Sequence, residues 1–411
     1  MYHNNHNKTI DDYEPIVGAN VIDQLRRLAD KLDGARVLHV NSTSKGGGVA
    51  EILGWMVPIL KNLGIDSRWQ VIKGDESFFN VTKNFHNALQ GVHYEISQEA
   101  EKVYKNHNEE NASSMNLDSD YVFIHDPQPA PLIEHRTDGI WIWRCHIDIS
   151  KPYPPVWNFL KRYVTRYNAS IFSMPQFAQN LPIPQYLVPP SIDPLSEKNK
   201  RLTKEEIARE IDRLEITHDK PILLQVSRFD RFKDPIGVIK AYKLVKKHED
   251  CILVLAGSEA TDDPEGPAVL DEVKKYAAED TDIHILMLPP FSDLQINALQ
   301  READIIIQKS LKEGFGLTVT EGMWKGKPVV CGAVGGISTQ IKNGVNGYLI
   351  NSIEGTAYRT RQLLHHPDLA ASMGYYAREY VRHNFLLTRH IRDYLSIMIA
   401  TQHPNETYIQ V

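Results

Sequence analysis

The chain of 411 residues carries only three cysteines, Cys145, Cys251 and Cys331, and no C-x-x-C pair. An odd count without ligand spacing excludes a disulfide framework and a cysteine zinc site. The apolar, strand-like runs around all three read them as small buried hydrophobes of a reducing compartment. No H-E-x-x-H, H-x-x-E-H or Cys/His pattern marks a metal, and no G-x-S-x-G marks a nucleophile elbow. Nowhere do 18 apolar residues run together, so no membrane-spanning helix is expected, and the polar start from Met1 to Asn20 lacks a signal-peptide core. Basic excess is missing too: 46 Lys and Arg against 52 Asp and Glu give −6, which argues against nucleic acid as a partner. Such a chain is expected in the cytoplasm, with neither nucleic acid nor membrane as partner. Net charge does not exclude one local pocket for a phosphate.

What the sequence does have is length and alternation. At roughly 150 residues per domain it makes two or three compact units, and 42% hydrophobic with 24% charged residues is ordinary for a globular protein. Short β-rich runs alternate with helical patterns, which predicts an α/β fold of parallel sheets covered on both faces. Strands are predicted at Arg36–Asn41, Trp69–Ile72, Tyr121–His125, Ile140–Cys145, Ile171–Met174 and Tyr186–Val188. A break at Pro189–Pro194 and a charged stretch, Glu197–Glu210, follow. A second series then starts, at Pro221–Val226, Cys251–Ala256, Ile283–Leu288, Ala303–Gln308, Pro328–Cys331 and Tyr348–Ile350. The expectation is two doubly wound, Rossmann-like domains, 1–195 and 196–384, with a helix over 385–411 packing back across them. Residues 3 to 7 read as a loosely held end. Ligands of open α/β sheets bind beyond the carboxyl ends of strands, so a site is expected where two such domains face each other.

Polar clusters stand at those strand ends. Residues 313–321 read E-G-F-G-L-T-V-T-E after the strand Ala303–Gln308, with glycines at 314 and 316 bracketing Phe315 before an amphipathic segment. This presents Gly314, Phe315, Gly316, Leu317 and Thr318 at a helix N-terminus, where backbone N–H groups can hold a phosphate or a sugar hydroxyl. Glu313 and Glu321 add carboxylates suited to vicinal hydroxyls, although a helix cap and a surface glutamate would give the same pattern. Arg228 and Lys233 stand five apart after the strand Pro221–Val226 and can converge on one pyrophosphate. S-T-S-K-G-G-G at 42–48 is neither a dinucleotide fingerprint nor a P-loop, yet Gly47 and Gly48 let the backbone approach a bound group closely. H-D-P-Q-P at 125–129 and R-C-H-I-D at 144–148 end two apolar strands. From them His146 could donate to a sugar hydroxyl, and Asp126 could accept from one.

Glu313 and Glu321 with seven residues between, Arg228 and Lys233, and Gly335-Gly336 after the next strand resemble the retaining glycosyltransferases of family four, two-domain enzymes of the GT-B architecture. In the first half, H-V-N-S-T-S at 39–44, G-G-G-V-A-E-I-L at 46–53, F-F-N-V-T-K at 78–83, F-H-N-A-L-Q-G at 85–91, H-D-P-Q-P, W-R-C-H-I-D at 143–148 and P-S-I-D-P-L-S-E-K-N at 190–199 are similar to the trehalose synthases of that family. The loop at 231–234 departs from the family by lacking Trp-Lys-Gly, and Ser338-Thr339 replaces bulkier residues. The resemblance implies a nucleoside diphosphate glucose as donor and free glucose as acceptor. Arg228 and Lys233 would then meet the diphosphate, Glu321 the ribose and Glu313 the donor sugar. Asn41, Asp126, Gln128 and His146 would line the acceptor side. It also implies a homodimer and no tightly bound cofactor, though a magnesium ion could accompany the diphosphate. Two alternatives stay open: a trehalose phosphorylase using glucose 1-phosphate, and a silent nucleotide-sugar-binding protein. A nicotinamide dehydrogenase is disfavoured, because neither half carries the dinucleotide fingerprint.

Overall fold

The computed structural model describes residues 8–44, 47–217, 219–257, 266–277, 280–289, 291–404 and 406. Lys45 and Gly46 of the glycine run, and the start at residues 3 to 7, lie outside the described residues. The chain divides into two compact units, residues 1–191 with 387–411, and residues 192–386.

Each unit is built on a six-stranded parallel sheet. In the amino-terminal unit the strands are β1 (Arg36–Asn41), β2 (Asp66–Val71), β3 (Tyr121–His125), β4 (Ile140–Arg144), β5 (Ala169–Phe172) and β6 (Gln185–Leu187). They lie in the order β2-β1-β3-β4-β5-β6. β1, β3, β4 and β5 are near-continuous apolar runs because both faces are covered. The edge strand β2 is largely polar and half-buried, so its first residues, Asp66 to Arg68, escape an apolar-run reading. Trp141, Trp143, Phe78, Phe85, Tyr104 and Phe172 fill this unit's core.

The carboxyl-terminal unit holds β7 (Ile222–Val226), β8 (Ile252–Gly257), β9 (Ile283–Met287), β10 (Ile305–Gln308), β11 (Val329–Gly332) and β12 (Tyr348–Ile350). Their order is β12-β11-β10-β7-β8-β9, with every adjacent pair parallel. In both sheets the chain reverses its direction of strand addition once: between β1 and β3, and between β7 and β10. Such a switch point splays the neighbouring loops and opens a crevice at the strand ends.

Cys145, Cys251 and Cys331 are buried and free. The helix Leu387–Gln402 belongs to the amino-terminal unit, where it packs on the helices Ala19–Asp30 and Gly48–Asn62. Phe385, which the sequence pattern assigns to that helix, instead packs on Phe315 and Tyr380 in the other unit. Among the described residues no helix is long and apolar enough to cross a membrane.

Candidate active site

The switch point of the carboxyl-terminal sheet lies between β7 and β10, and the loops that leave these two strands carry the charged residues. Lys233 Nζ lies 2.5 Å from Glu313 Oε2, with side chains 18% and 12% exposed. A second ion pair crosses the same gap, from Lys309 to Asp234. The two loops also share a backbone hydrogen bond, Leu311 N to the Phe232 carbonyl at 2.7 Å. Two adjacent residues of opposite sign on one loop thus meet two of opposite sign on the other. No charge is left alone, which makes mostly buried ions tolerable.

Local geometry explains how the Lys233 loop is held. Asp230 is buried and accepts from Lys233 N at 3.0 Å, closing the turn Arg231–Lys233. Asp234 takes a left-handed backbone, φ 48°, and caps the helix Pro235–Lys246 by accepting from Gly237 N at 3.0 Å. Gln225 Nε2 donates to the Lys233 carbonyl at 2.8 Å. Arg228, by contrast, is half exposed and reaches Asp230 Oδ2 at 3.5 Å.

The Glu313 loop is shaped by glycine. Gly316, at φ +85°, precedes the helix Leu317–Trp324, and among the described residues no side chain caps that helix. The N–H groups of its first turn are those an α-helix leaves without intrahelical partners. Gly335 lies so close beneath the loop that a Cβ there would stand 1.7 Å from the Glu313 carbonyl oxygen. Gln340, fully buried, donates to the Phe315 carbonyl at 2.6 Å and accepts from Thr320 Oγ1 at 2.7 Å. Phe315 faces Phe385 edge-on and serves as packing under the loop.

Glu321 is 2% exposed, not a surface glutamate. Lys198 Nζ lies 3.6 Å from its carboxylate, and Gln300 Nε2 donates to it at 3.4 Å. Beneath it, burial pushes the Lys325 ammonium down to about 7, with the Glu321 charge opposing that fall, and Lys325 Nζ donates to Asn199 Oδ1 at 2.9 Å. Sequence reasoning missed Lys309, Lys198, Gln340 and Lys325. For Lys309 a signal existed: a charged residue directly follows the apolar run of β10.

In the amino-terminal unit the residues gather at the ends of β1, β3 and β4. Asp126 follows β3 with φ 65°, and its Oδ1 accepts from His146 N at 2.7 Å. Burial pushes its carboxyl up to about 7, against the pull of the His146 N–H and the Arg144 charge. His146 Nε2 lies 3.0 Å from His125 Nδ1, and His125 Nε2 lies 3.1 Å from His39 Nδ1. Burial holds all three imidazoles neutral, His39 down to about 3 and the other two well below their ordinary value. Arg144 is fully buried; Nη2 donates to the Val188 carbonyl at 2.7 Å, while Nε and Nη1 have no partner among the described residues.

The remaining expected residues are placed as follows. Asn41 is buried and engaged, donating to the Thr43 carbonyl at 2.7 Å and accepting from Trp69 Nε1 at 2.8 Å. It therefore shapes the loop that leads to the glycines. Gln128 keeps a buried Oε1 with no partner among the described residues. Gly47 and Gly48 stand at the start of the helix Gly48–Asn62, with open space beside Gly47. Among the described residues no three His, Cys, Asp or Glu side chains come together in a way that could hold a metal ion.

Comparison with known proteins agrees in both units. Residues 39–179 match the model of the trehalose synthase N-terminal domain, and residues 206–380 that of the glycosyl transferases group 1. A trehalose synthase of Pyrococcus horikoshii is 45% identical over 401 residues, covering 95% of this chain and 96% of that one. A trehalose phosphorylase of Grifola frondosa is 30% identical, covering 90% of this chain but only 58% of its own. Among solved structures, a UDP-forming α,α-trehalose-phosphate synthase from Burkholderia xenovorans superposes with a TM-score of 0.72 at 12% identity, over 88% of this chain and 99% of that one. That likeness is one of fold, the two-domain GT-B architecture.

Proposed function

Because the chain belongs to the trehalose synthases of the group 1 glycosyltransferases, we propose that it forms trehalose by moving a glucosyl unit from a nucleoside diphosphate to the anomeric hydroxyl of free glucose, with retention. The observation that carries this reading is the Lys233–Glu313 pair at the β7/β10 switch point.

The two groups hold each other in place at 2.5 Å. Each keeps unused capacity: an ammonium has three donors, and a carboxylate about four lone-pair sites. Lys233 then meets the diphosphate, and Glu313 accepts from hydroxyls of the glucosyl ring. Arg228, half exposed on the same loop, adds a second cation, and the uncapped first turn of the helix Leu317–Trp324 adds backbone donors. As the glycosidic C–O bond to phosphate breaks, negative charge grows on the departing oxygen, and prearranged donors stabilise it without reorganisation. The departing phosphate takes the proton of the incoming hydroxyl on the same face of the sugar. This needs no enzymic carboxylate nucleophile of the kind that retaining hydrolases use. Buried Glu321, held by Lys198 and Gln300, is a preformed acceptor for the ribose. On the amino-terminal unit, His146, Asp126 and Gln128 take the sugar hydroxyls.

The test is donor choice. Purified protein with glucose is supplied with UDP-, ADP- or GDP-glucose, or with glucose 1-phosphate, and trehalose is measured. Trehalose from a nucleoside diphosphate glucose is the expected result. Trehalose from glucose 1-phosphate alone, with release of inorganic phosphate, makes the protein a phosphorylase. No product from any donor leaves only sugar-nucleotide binding.

A further inference from the structure

His39, His125 and the loop residue His146 are 86 and 21 residues apart in sequence, yet form one hydrogen-bonded string. His39 lies on β1 and His125 at the end of β3. His39 stacks on Phe123 with ring centroids 4.9 Å apart, and His125 stacks on His146 at 5.3 Å. A neutral imidazole has one N–H and one lone pair, so each of its nitrogens has a fixed role once its neighbour's is set. Both nitrogens of His125 are used within the string, which forces the two hydrogen bonds to point the same way. The proton on His146 therefore depends on His39, through His125.

The inner end settles the sense. His39 Nε2 is buried and has no partner among the described residues. If the string runs from His146 inward, that atom is an orphaned N–H; if it runs outward, it is an orphaned lone pair. Buried N–H groups without acceptors are the rarer and costlier of the two. At the outer end, the Nδ1 of His146 has no partner among the described residues, and the His146 ring is partly exposed.

We propose that His39 and His125 are positioning residues that lock His146 in its Nδ1–H tautomer, so that it meets the sugar substrate as a fixed hydrogen-bond donor. The inference rests on the proposed function for the identity of that substrate, and on the string alone for the tautomer. A neutral ring with a set N–H donates to a hydroxyl or acetal oxygen and takes no proton away. The geometry therefore assigns His146 to orientation and charge stabilisation, not to base catalysis.

Long-range nitrogen–proton spectra of protein labelled with 15N-histidine read the tautomer directly, with His146 assigned by its loss in His146→Gln. In the wild type, His146 is expected to carry its proton on Nδ1. His39→Phe keeps the stack on Phe123 but removes the donor, so His146 should divide between both tautomers. Turnover should then fall with the fraction that stays competent, roughly two- to tenfold, with the KM for donor within about twofold. His39→Asn, whose side-chain amide restores an N–H near the lost Nδ1, should restore one tautomer and most of the rate. A wild-type His146 protonated on Nε2, or an unchanged His146 signal in His39→Phe, overturns the inference whatever the turnover. A normal tautomer signal with no trehalose formed from any donor counts against the proposed function alone.

Discussion

Replacing Gly335 by alanine tests how closely the Glu313 loop depends on the glycine pair after β11. The backbone there sits at φ +46°, where an added Cβ costs roughly 1–2 kcal/mol. The added carbon would lie 1.7 Å from the Glu313 carbonyl oxygen and 2.9 Å from its carbonyl carbon, whereas real Cβ contacts essentially never fall under 3.0 Å. The two loops must therefore part by more than an ångström. What moves is the peptide that carries Glu313, whose carboxylate rests 2.5 Å from Lys233. A misplacement of about 1 Å in a positioned group can cost 10²-fold in rate, while overpacking of this size costs about 1–3 kcal/mol in stability. Gly335→Ala should fold, melt a few degrees lower and lose about a hundredfold in kcat/KM for trehalose formation. Gly344→Ala is the control: its φ of +79° imposes similar strain, yet nothing lies within 4 Å of the added carbon. Initial rates of trehalose formation, with far-ultraviolet circular dichroism for the fold, decide the matter. Gly335→Ala within threefold of wild type, or Gly344→Ala equally impaired, would refute the reasoning.

Lys233→Ala removes the cation expected to meet the developing phosphate charge and should lower kcat by about 10²–10³-fold with the far-ultraviolet spectrum unchanged; near-normal turnover would remove the assigned role. Lys309→Met breaks the pair with Asp234 and should loosen the Lys233 loop, while Asp234→Gly restores glycine at a left-handed position and should make Lys309 less necessary. Rates of the two single variants and the double variant should therefore be non-additive, by a coupling of roughly 1–3 kcal/mol; simple additivity would sever the two residues. Acid should destabilise the amino-terminal unit, because burial keeps His39, His125, His146 and His390 below their ordinary value. As pH falls below about 6.5, the unfolded chain binds protons that the folded chain refuses, so this stability is whole above about pH 7 and lost beneath it. Asp126 works in the opposite sense, holding its proton up to about 7 when folded, and offsets one of the four. Urea midpoints should therefore fall as the pH is lowered from 8 to 5; a flat profile would show these histidines to be charged in the fold.

The sequence by itself determined the elements. Runs such as Ile252–Ala256 are apolar at every position because both faces of a parallel sheet are covered, and each of the twelve strands among the described residues lies within a few residues of a predicted β-rich run. The ends are less legible where burial is partial, as at β2, since a half-exposed edge strand has no continuous apolar run. Glu313, Arg228 and Lys233 also stand out in the sequence as candidates, because they are charged residues just beyond apolar strands, where ligands of open α/β sheets bind.

Only the tertiary structure decided which of these groups meet. Strand order places β7 beside β10, and so brings Lys233 to Glu313 and Asp234 to Lys309 across some 80 and 75 residues of chain. Periodicity along the chain encodes which face is buried but not which strand lies alongside. Burial likewise separated residues that look alike in sequence. Glu313, 12% exposed, pairs with Lys233 across the gap between two loops, while Glu321 is enclosed by Lys198 and Gln300, and Asn41 is tied to its own loop. The histidine string is the extreme case. The sequence offers His146 as a single candidate and links it to neither His39 nor His125, and the coupling among them exists only because β1 and β3 pair in parallel and β4 delivers His146 to their ends.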